Sequence, residues 1–343
     1  GDRYFKTGAT TWNSAVNWSA TGSGGGDNAG VPTAADEVYL DVTSGNLTID
    51  VNAFCRSINC TGYSGTITHN AAITLTIGDA TAGTGNIALK FVVGMTYTLG
   101  DNRTSILSFV STSATVQTID WGGKTTGNVT FQPAINGSWQ YVSDHTLAST
   151  STLSLNSGTL DTNSKTINSA EFSTNVVGTR VLTLGSTVMN LTGYHVGSDR
   201  HFRAGQAGGL TVTANTAVVN LFRNQDHDTI LVTDVIDWNG LSVVFNGGAV
   251  ANMGGAAGTF KNITVNGAAF NNVADDTFKL NDNLTITGTL TLNGYAFSRR
   301  LKIISSNGGA QRTITVPNGT SVTGKNLYFK DIGLSVSNDL SAI

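Results

Sequence analysis

Charge is what this chain has least of. Only 12% of its 343 residues are Asp, Glu, Lys or Arg, about half the ~25% of an ordinary globular chain. Nineteen basic residues stand against 22 acidic ones for a net charge of −3, with no basic stripe. Nucleic acid binding therefore lacks its electrostatic footing. Proline (3) and cysteine (2) are scarce as well. Cys55 and Cys60 give neither a disulfide framework nor a CxxC metal pair. On one continuous strand they would face opposite ways, so a bridge needs a turn between them, and they read as two small buried hydrophobes. Phe91-Val92-Val93 is typical of the longest apolar runs, far short of the ~20 residues of a membrane-spanning helix. Glu, Lys and Leu are sparse, and no helix of three turns is expected. With 39% hydrophobic residues, so little charge also excludes disorder. The chain opens on Gly1 rather than Met, which reads as a processed chain or a portion of a longer one.

What is there is a repeated texture. Short runs alternating Thr or Ser with aliphatics end on Gly, Asn or Ser: Leu75-Thr76-Ile77-Gly78, Leu153-Ser154-Leu155-Asn156-Ser157-Gly158, Ile263-Thr264-Val265-Asn266-Gly267, Leu284-Thr285-Ile286-Thr287-Gly288 and Leu290-Thr291-Leu292-Asn293-Gly294. A period of two marks half-buried strands. Strands of four or five residues bury a face only by stacking in series, so the expected fold is all-β, a parallel β-helix or β-solenoid. The spacing of the apolar triplets fits rungs of roughly 20–30 residues, and Asn-Gly and Asn-Ser-Gly steps supply the positive-φ corners.

Residues 1–40 differ from the rest. Trp12 and Trp18 bracket a short polar segment, and the glycine loop at residues 21–28 lacks both the strand-and-helix context and the Lys-Ser/Thr of a phosphate loop. The division expected is an N-terminal cap or attachment segment over 1–40 and a solenoid body over 41–343. Residues 195–209 and 223–229 are the most polar and irregular and read as projecting loops.

The segments Tyr4-Phe5, Thr11-Trp12-Asn13, Asn17-Trp18-Ser19, Gly24-Gly25 and Val31-Pro32-Thr33-Ala34-Ala35-Asp36-Glu37-Val38-Tyr39-Leu40-Asp41 resemble the N-terminal module of a group of tailed-phage virion proteins of the fibre, spike or decoration type. Central pieces (Cys60 to Thr66, Gly158 to Asn163, Thr179 to Ser186) and the closing Leu327-Tyr328-Phe329-Lys330-Asp331-Ile332 follow in the expected order. The opening module is also similar to segments of bacterial autotransporter passengers. The resemblance implies an extracellular structural or host-contact role rather than a reaction, and it carries no catalytic residues.

Candidate chemistry is thin. Asp226-His227-Asp228 beside His195 and His201 is the one cluster that suggests a metal, yet no spacing fixes two ligands on one face, and no metal or cofactor is expected. His69 and His145 complete the histidines. For polysaccharide cleavage by a carboxylate pair the available groups are Asp226, Asp228, Asp234 and Asp237, then Asp275, Asp276 and Asp282; aspartate is also a common turn residue, and the turn reading prevails. A glycan-contact loop is expected at Tyr194, His195, His201, Phe202 and Phe222, with Trp121, Trp139 and Trp238 in the core. A Thr-x-Thr lattice of fixed period is missing, which argues against an ice-binding face.

The resulting expectation is a non-enzymatic structural component of a phage virion. Its partners are other virion proteins, a host cell-surface glycan and further copies of itself. By analogy with phage fibres the oligomer is a trimer, and the apolar Leu334, Val336, Leu340 and Ile343 suggest an end that associates. Neither nucleic acid nor a membrane is expected as a partner. The alternatives are a bacterial surface adhesin or autotransporter passenger, and a polysaccharide-depolymerising tailspike.

Overall fold

A computed structural model describes residues 1–195, 199–206, 208–222, 228–234, 236–247, 250–256, 258–267, 276–317 and 321–336. The fold is all-β, a parallel β-helix. Among the described residues the helical pieces are two three-residue 3₁₀ turns, Ala15–Asn17 and Thr84–Asn86, and no helix is long and apolar enough to cross a membrane. The chain forms two compact units: Gly1–Ile167 with Thr179–Thr183, and Asn168–Gly178 with Leu184–Ile343.

In the first unit three sheets alternate along the chain. One runs from Asp2–Phe5 and Glu37–Tyr39 through Ser57–Asn59, Ile87–Lys90, Val116–Asp120 and Ser138–Tyr141 to Gly158–Asp161 and Arg180–Thr183. A second stacks Leu47–Ile49, Thr66–His69 and Thr96–Leu99. The third stacks Ala53–Cys55, Thr74–Ile77, Ile106–Phe109, Val129–Phe131 and Thr152–Leu155. Each circuit through the three is one rung. Alternation decides the rest: in Thr74–Ile77 the burial pattern puts Leu75 and Ile77 inside and both threonines outward. Parallel register then stacks like on like, so that Cys55, Ile77, Phe109, Phe131 and Leu155 form one interior column.

That interior is aromatic in its middle rungs. Phe109 and Phe131 stack at 5.0 Å and 15°, and Trp139 lies 5.1 Å from Phe131. Trp121 and Trp139 are fully buried, as expected, and Trp238 is likewise buried in the second unit. Cys55 and Cys60 are unbonded and buried, and burial pushes both thiols far above their ordinary range. At the corners, Gly78 has φ +135°, and a Cβ there would meet the Ser111 nitrogen of the next rung at 2.2 Å; only glycine permits that approach.

The N-terminal tryptophans are built into the same unit. Asp2–Phe5 pairs parallel with Glu37–Tyr39, and Trp18–Ser19 pairs antiparallel on its other side, as an outermost strand of that sheet. Trp12 and Trp18 are fully buried, 5.0 Å apart edge to face, with Trp18 Nε1–H donating to the Trp12 carbonyl at 2.9 Å.

The second unit repeats the scheme with longer strands. One sheet stacks Glu171–Ser173, Phe202–Ala204, Thr229–Thr233, Val250–Gly255, Asp276–Leu280, Leu301–Ser305 and Leu327–Lys330. Another stacks Val188–Leu191, Val218–Phe222, Ile236–Asn246 and Gly258–Asn266. Ile236–Asn246 turns a corner within one strand, where the register shifts between Trp238 and Ser242. The following rung breaks the corner into Leu284–Ile286 and Thr289–Asn293, each pairing with its own half of Gly258–Asn266. On the outside an asparagine ladder crosses three rungs, Asn220 Nδ2 to Asn190 Oδ1 at 3.0 Å and Asn190 Nδ2 to Asn168 Oδ1 at 2.9 Å.

Register partners on neighbouring rungs lie as close in sequence as Glu37 and Ser57 and as far apart as Leu290 and Val322. The corners absorb the difference in length while the strands stay aligned.

Candidate functional site

The residues expected to form a glycan-contact loop do not share a surface. Phe202 is fully buried and packs 5.2 Å from Phe172 and 5.3 Å from Trp238. His201 is buried too, its Nε2 held 2.8 Å from the Phe222 carbonyl oxygen, so that nitrogen donates. Both belong to the interior because the strand Phe202–Ala204 begins there and alternation turns Phe202 inward. Phe222 ends the strand Val218–Phe222 and is 37% exposed. Tyr194–His195 pairs antiparallel with Asp199–Arg200; the side chains of Tyr194 and His195 lie outside what is described.

The carboxylates separate as well. Asp226, His227 and Asp275 lie outside the described residues, while Asp237 is exposed on Ile236–Asn246. Asp276, expected at a turn, instead opens the strand Asp276–Leu280 and is fully buried, with Arg299 Nη2 and Nε at 2.8 and 3.2 Å from its Oδ1. Asp282 sits 3.7 Å from Arg312. Among the described residues no group of three His, Cys, Asp or Glu is placed to hold a metal. His69 and His145 are interior groups: His69 lies between the Tyr97 hydroxyl at 2.7 Å and the Ile73 carbonyl at 2.9 Å, and His145 stacks on Trp121 at 3.7 Å.

A different surface in the second unit carries the best-formed site. Its base is the outward face of two neighbouring strands, Leu301–Ser305 and Leu327–Lys330. Parallel register places Lys302 beside Tyr328 and Ile304 beside Lys330, at the ~4.8 Å spacing of paired strands. The inward partners Leu301 and Ile303 are fully buried, so the four outward residues have no freedom to rotate into the core. One wall is the turn preceding Leu301. Ala296 and Arg299 exchange backbone hydrogen bonds at 3.0 and 3.2 Å, which lifts Phe297 and Ser298 to the tip. Arg299 anchors that turn to buried Asp276, a pairing that a buried carboxylate needs in order to stay charged. Arg300 folds over the Phe297 ring, Cζ 4.7 Å from its centroid.

Together Phe297, Ser298, Arg300, Lys302, Ile304, Tyr328 and Lys330 line an open groove of about 550 Å³. Phe297 is 78% and Tyr328 44% exposed. Three cations, two exposed aromatic faces and an aliphatic floor make a surface that holds anions by charge and stacks on flat apolar faces. The sequence held a signal for it. Residues 283–330 contain six Lys or Arg and no Asp or Glu, against thirteen cations and twenty-two acids elsewhere, and Arg299-Arg300 is the one adjacent basic pair. The expectation of no basic cluster is corrected by the fold, which gathers on one face cations that alternate with apolar residues along the chain.

The threonines give a second correction of that kind. Thr48, Thr68 and Thr98 align on successive rungs, Thr66 aligns with Thr96, and Thr11 bridges to Thr48. The rung lengths differ, so no fixed period shows in the sequence, but a short Thr-x-Thr lattice forms nonetheless.

Fold and groove together define a parallel β-helix protein with a cationic, aromatic-lined outer surface. No family model matches the chain, and neither curated proteins nor solved structures give a match.

Proposed function

We propose that this chain is a non-enzymatic structural component of a phage virion, a fibre, spike or capsid decoration outside the cell, that contacts other virion proteins and the host surface. The observation that carries the reading is the stack of in-register parallel rungs with fully buried aromatic columns. Main-chain hydrogen bonds between rungs leave little extended backbone open to proteases and distribute mechanical load along the stack. The ordered resemblance to tailed-phage virion proteins, from Tyr4-Phe5 to Asp331-Ile332, supports the same reading. The groove supplies the contact surface that such a component needs. Self-association, with a trimer as the arrangement known from fibres, is part of the proposal. Leu327, Phe329, Ile332 and Leu334 in the last described strands are less buried than the aliphatics of inner rungs, which favours packing against a further surface.

Mass spectrometry of gradient-purified particles tests this. Peptides of this chain at a fixed ratio to capsid or tail proteins are expected. Their absence from particles, with the protein recovered on bacterial envelopes, overturns the reading in favour of a surface adhesin. Release of new reducing ends from capsular or lipopolysaccharide glycans overturns its non-enzymatic part.

A further inference from the structure

We infer that the groove between the Phe297 turn and the strands Leu301–Ser305 and Leu327–Lys330 is a binding site for an acidic polysaccharide. The assignment deepens the reading above, resting on it for biological context and on the groove alone for chemistry.

The shape comes first. A volume of about 550 Å³ falls within the range of sites that hold small ligands, and the groove is open rather than enclosed, as a polymer crossing it requires. Recognition of a sugar ring takes a flat apolar partner for its C–H face, and Tyr328 and Phe297 present two, 44% and 78% exposed. Large aromatics left this open on a surface otherwise dressed in Thr, Ser and Asn call for an occupant. Ile304 provides the floor between them.

The charge then selects among sugars. Arg300, Lys302 and Lys330 line the same groove, and Lys279 lies next to Ile304 on the adjoining strand. Arg300 is held over Phe297, so its guanidinium is presented with less loss of freedom on binding a carboxylate or sulfate. The charges facing this surface from the adjoining strands are Lys279 on one side and Lys330 on the other, while the nearest acid of that sheet, Asp276, is buried and paired with Arg299. A neutral glycan would leave these cations without compensation, whereas an acidic one pairs with them.

Single-stranded nucleic acid is the competing polyanion, since it too uses cations and stacking. It needs a basic track over several nucleotides. Here the cations are confined to one patch on a chain whose other residues carry a net negative charge, which repels a long uniform polyanion beyond the groove.

The test is binding of the isolated full chain to fluorescent polygalacturonate and dextran sulfate, with uncharged dextran and a thymidine oligonucleotide as comparators. Binding to at least one acidic polysaccharide is expected, weakening as sodium chloride rises through ~0.5 M because exposed charges are screened, with dextran unbound. The double variant K302E/K330E is expected to lose about 100-fold in affinity, one decade for each charge-assisted contact. Phe297→Ala, at an exposed turn tip, keeps the fold and is expected to lose about 10-fold. Lys124→Glu in the first unit is the control and should bind as the parent does. Failure to bind either acidic polymer, equal binding of dextran, tighter binding of the oligonucleotide, or parental affinity in both groove variants overturns the assignment. Because the assay uses no particles, absence of the protein from virions would leave it standing, and failed binding would leave the virion reading standing.

Discussion

Phe131→Ala is expected to cost about 3–5 kcal/mol of unfolding free energy, the range for truncating a fully buried phenylalanine. Phe131 is completely buried, stacked on Phe109 at 5.0 Å and tilted against Trp139 at 5.1 Å, with Tyr141 at 6.4 Å. Its neighbours are themselves large rings fixed by the rungs above and below, so they collapse poorly into the space left behind. Stability in a stacked fold is a sum over rungs and their interfaces, and removing Phe131 weakens two interfaces at once. Urea unfolding followed by fluorescence reads the effect. Val42→Ala, at a position 73% exposed, should stay within ~0.5 kcal/mol of the parent. A Phe131→Ala loss as small as that control would contradict the aromatic column.

Acid should destabilise the first unit well above the carboxylate range. Burial holds the His69 imidazole down at about 4, partly opposed by its bond to the Ile73 carbonyl. Burial drives His145, stacked on Trp121, well below its usual value. Both rings are therefore neutral in the fold, while in the unfolded chain they titrate near 6.5. Between those values the unfolded state binds more protons, so stability is complete above about pH 6.5 and falls as the pH drops. For His69 the loss continues to about pH 4 and amounts to ~3 kcal/mol, at 1.36 kcal/mol per pH unit; His145 adds to it. Urea midpoints measured from pH 7.5 to 4.5 should fall steadily below pH 6.5. A flat profile across that window would show that the two histidines are accessible or charged in the folded chain.

Period-two alternation made the fold readable, because Thr-aliphatic strands such as Leu75-Thr76-Ile77 and Leu290-Thr291-Leu292 have one solution when stacked in parallel. Rung length was readable from the same spacing, and so was the burial of Cys55, Cys60, Trp121, Trp139 and Trp238. The site was harder. Phe202 and His201 lie in a polar, irregular stretch that resembles a loop, and only the start of a strand at Phe202 turns that ring inward. The groove escaped notice because its members come from different turns. Arg300 and Lys302 are local, but Tyr328 and Lys330 reach them only through the pairing of Leu301–Ser305 with Leu327–Lys330. Register, which no local pattern states, is what brings them together. The Thr48, Thr68 and Thr98 column was hidden for the same reason.

Register is accordingly the claim on which the groove depends, and paired cysteines measure it directly. Cys55 and Cys60 are fully buried and stay out of the reaction in the folded chain. Lys302→Cys with Tyr328→Cys places two outward thiols on directly paired positions, about 4.5–5.5 Å apart at Cβ, and a short thiol cross-linker should join them rapidly. Lys302→Cys with Lys330→Cys is one diagonal step away, roughly 7–8 Å, and should react more slowly. Lys302→Cys with Lys325→Cys, whose strand pairs with Thr289–Asn293 instead, should not react. That order of rates is the predicted result. Cross-linking of 302 to 325 as fast as to 328, or none between 302 and 328, would contradict the parallel stacking from which the groove is built.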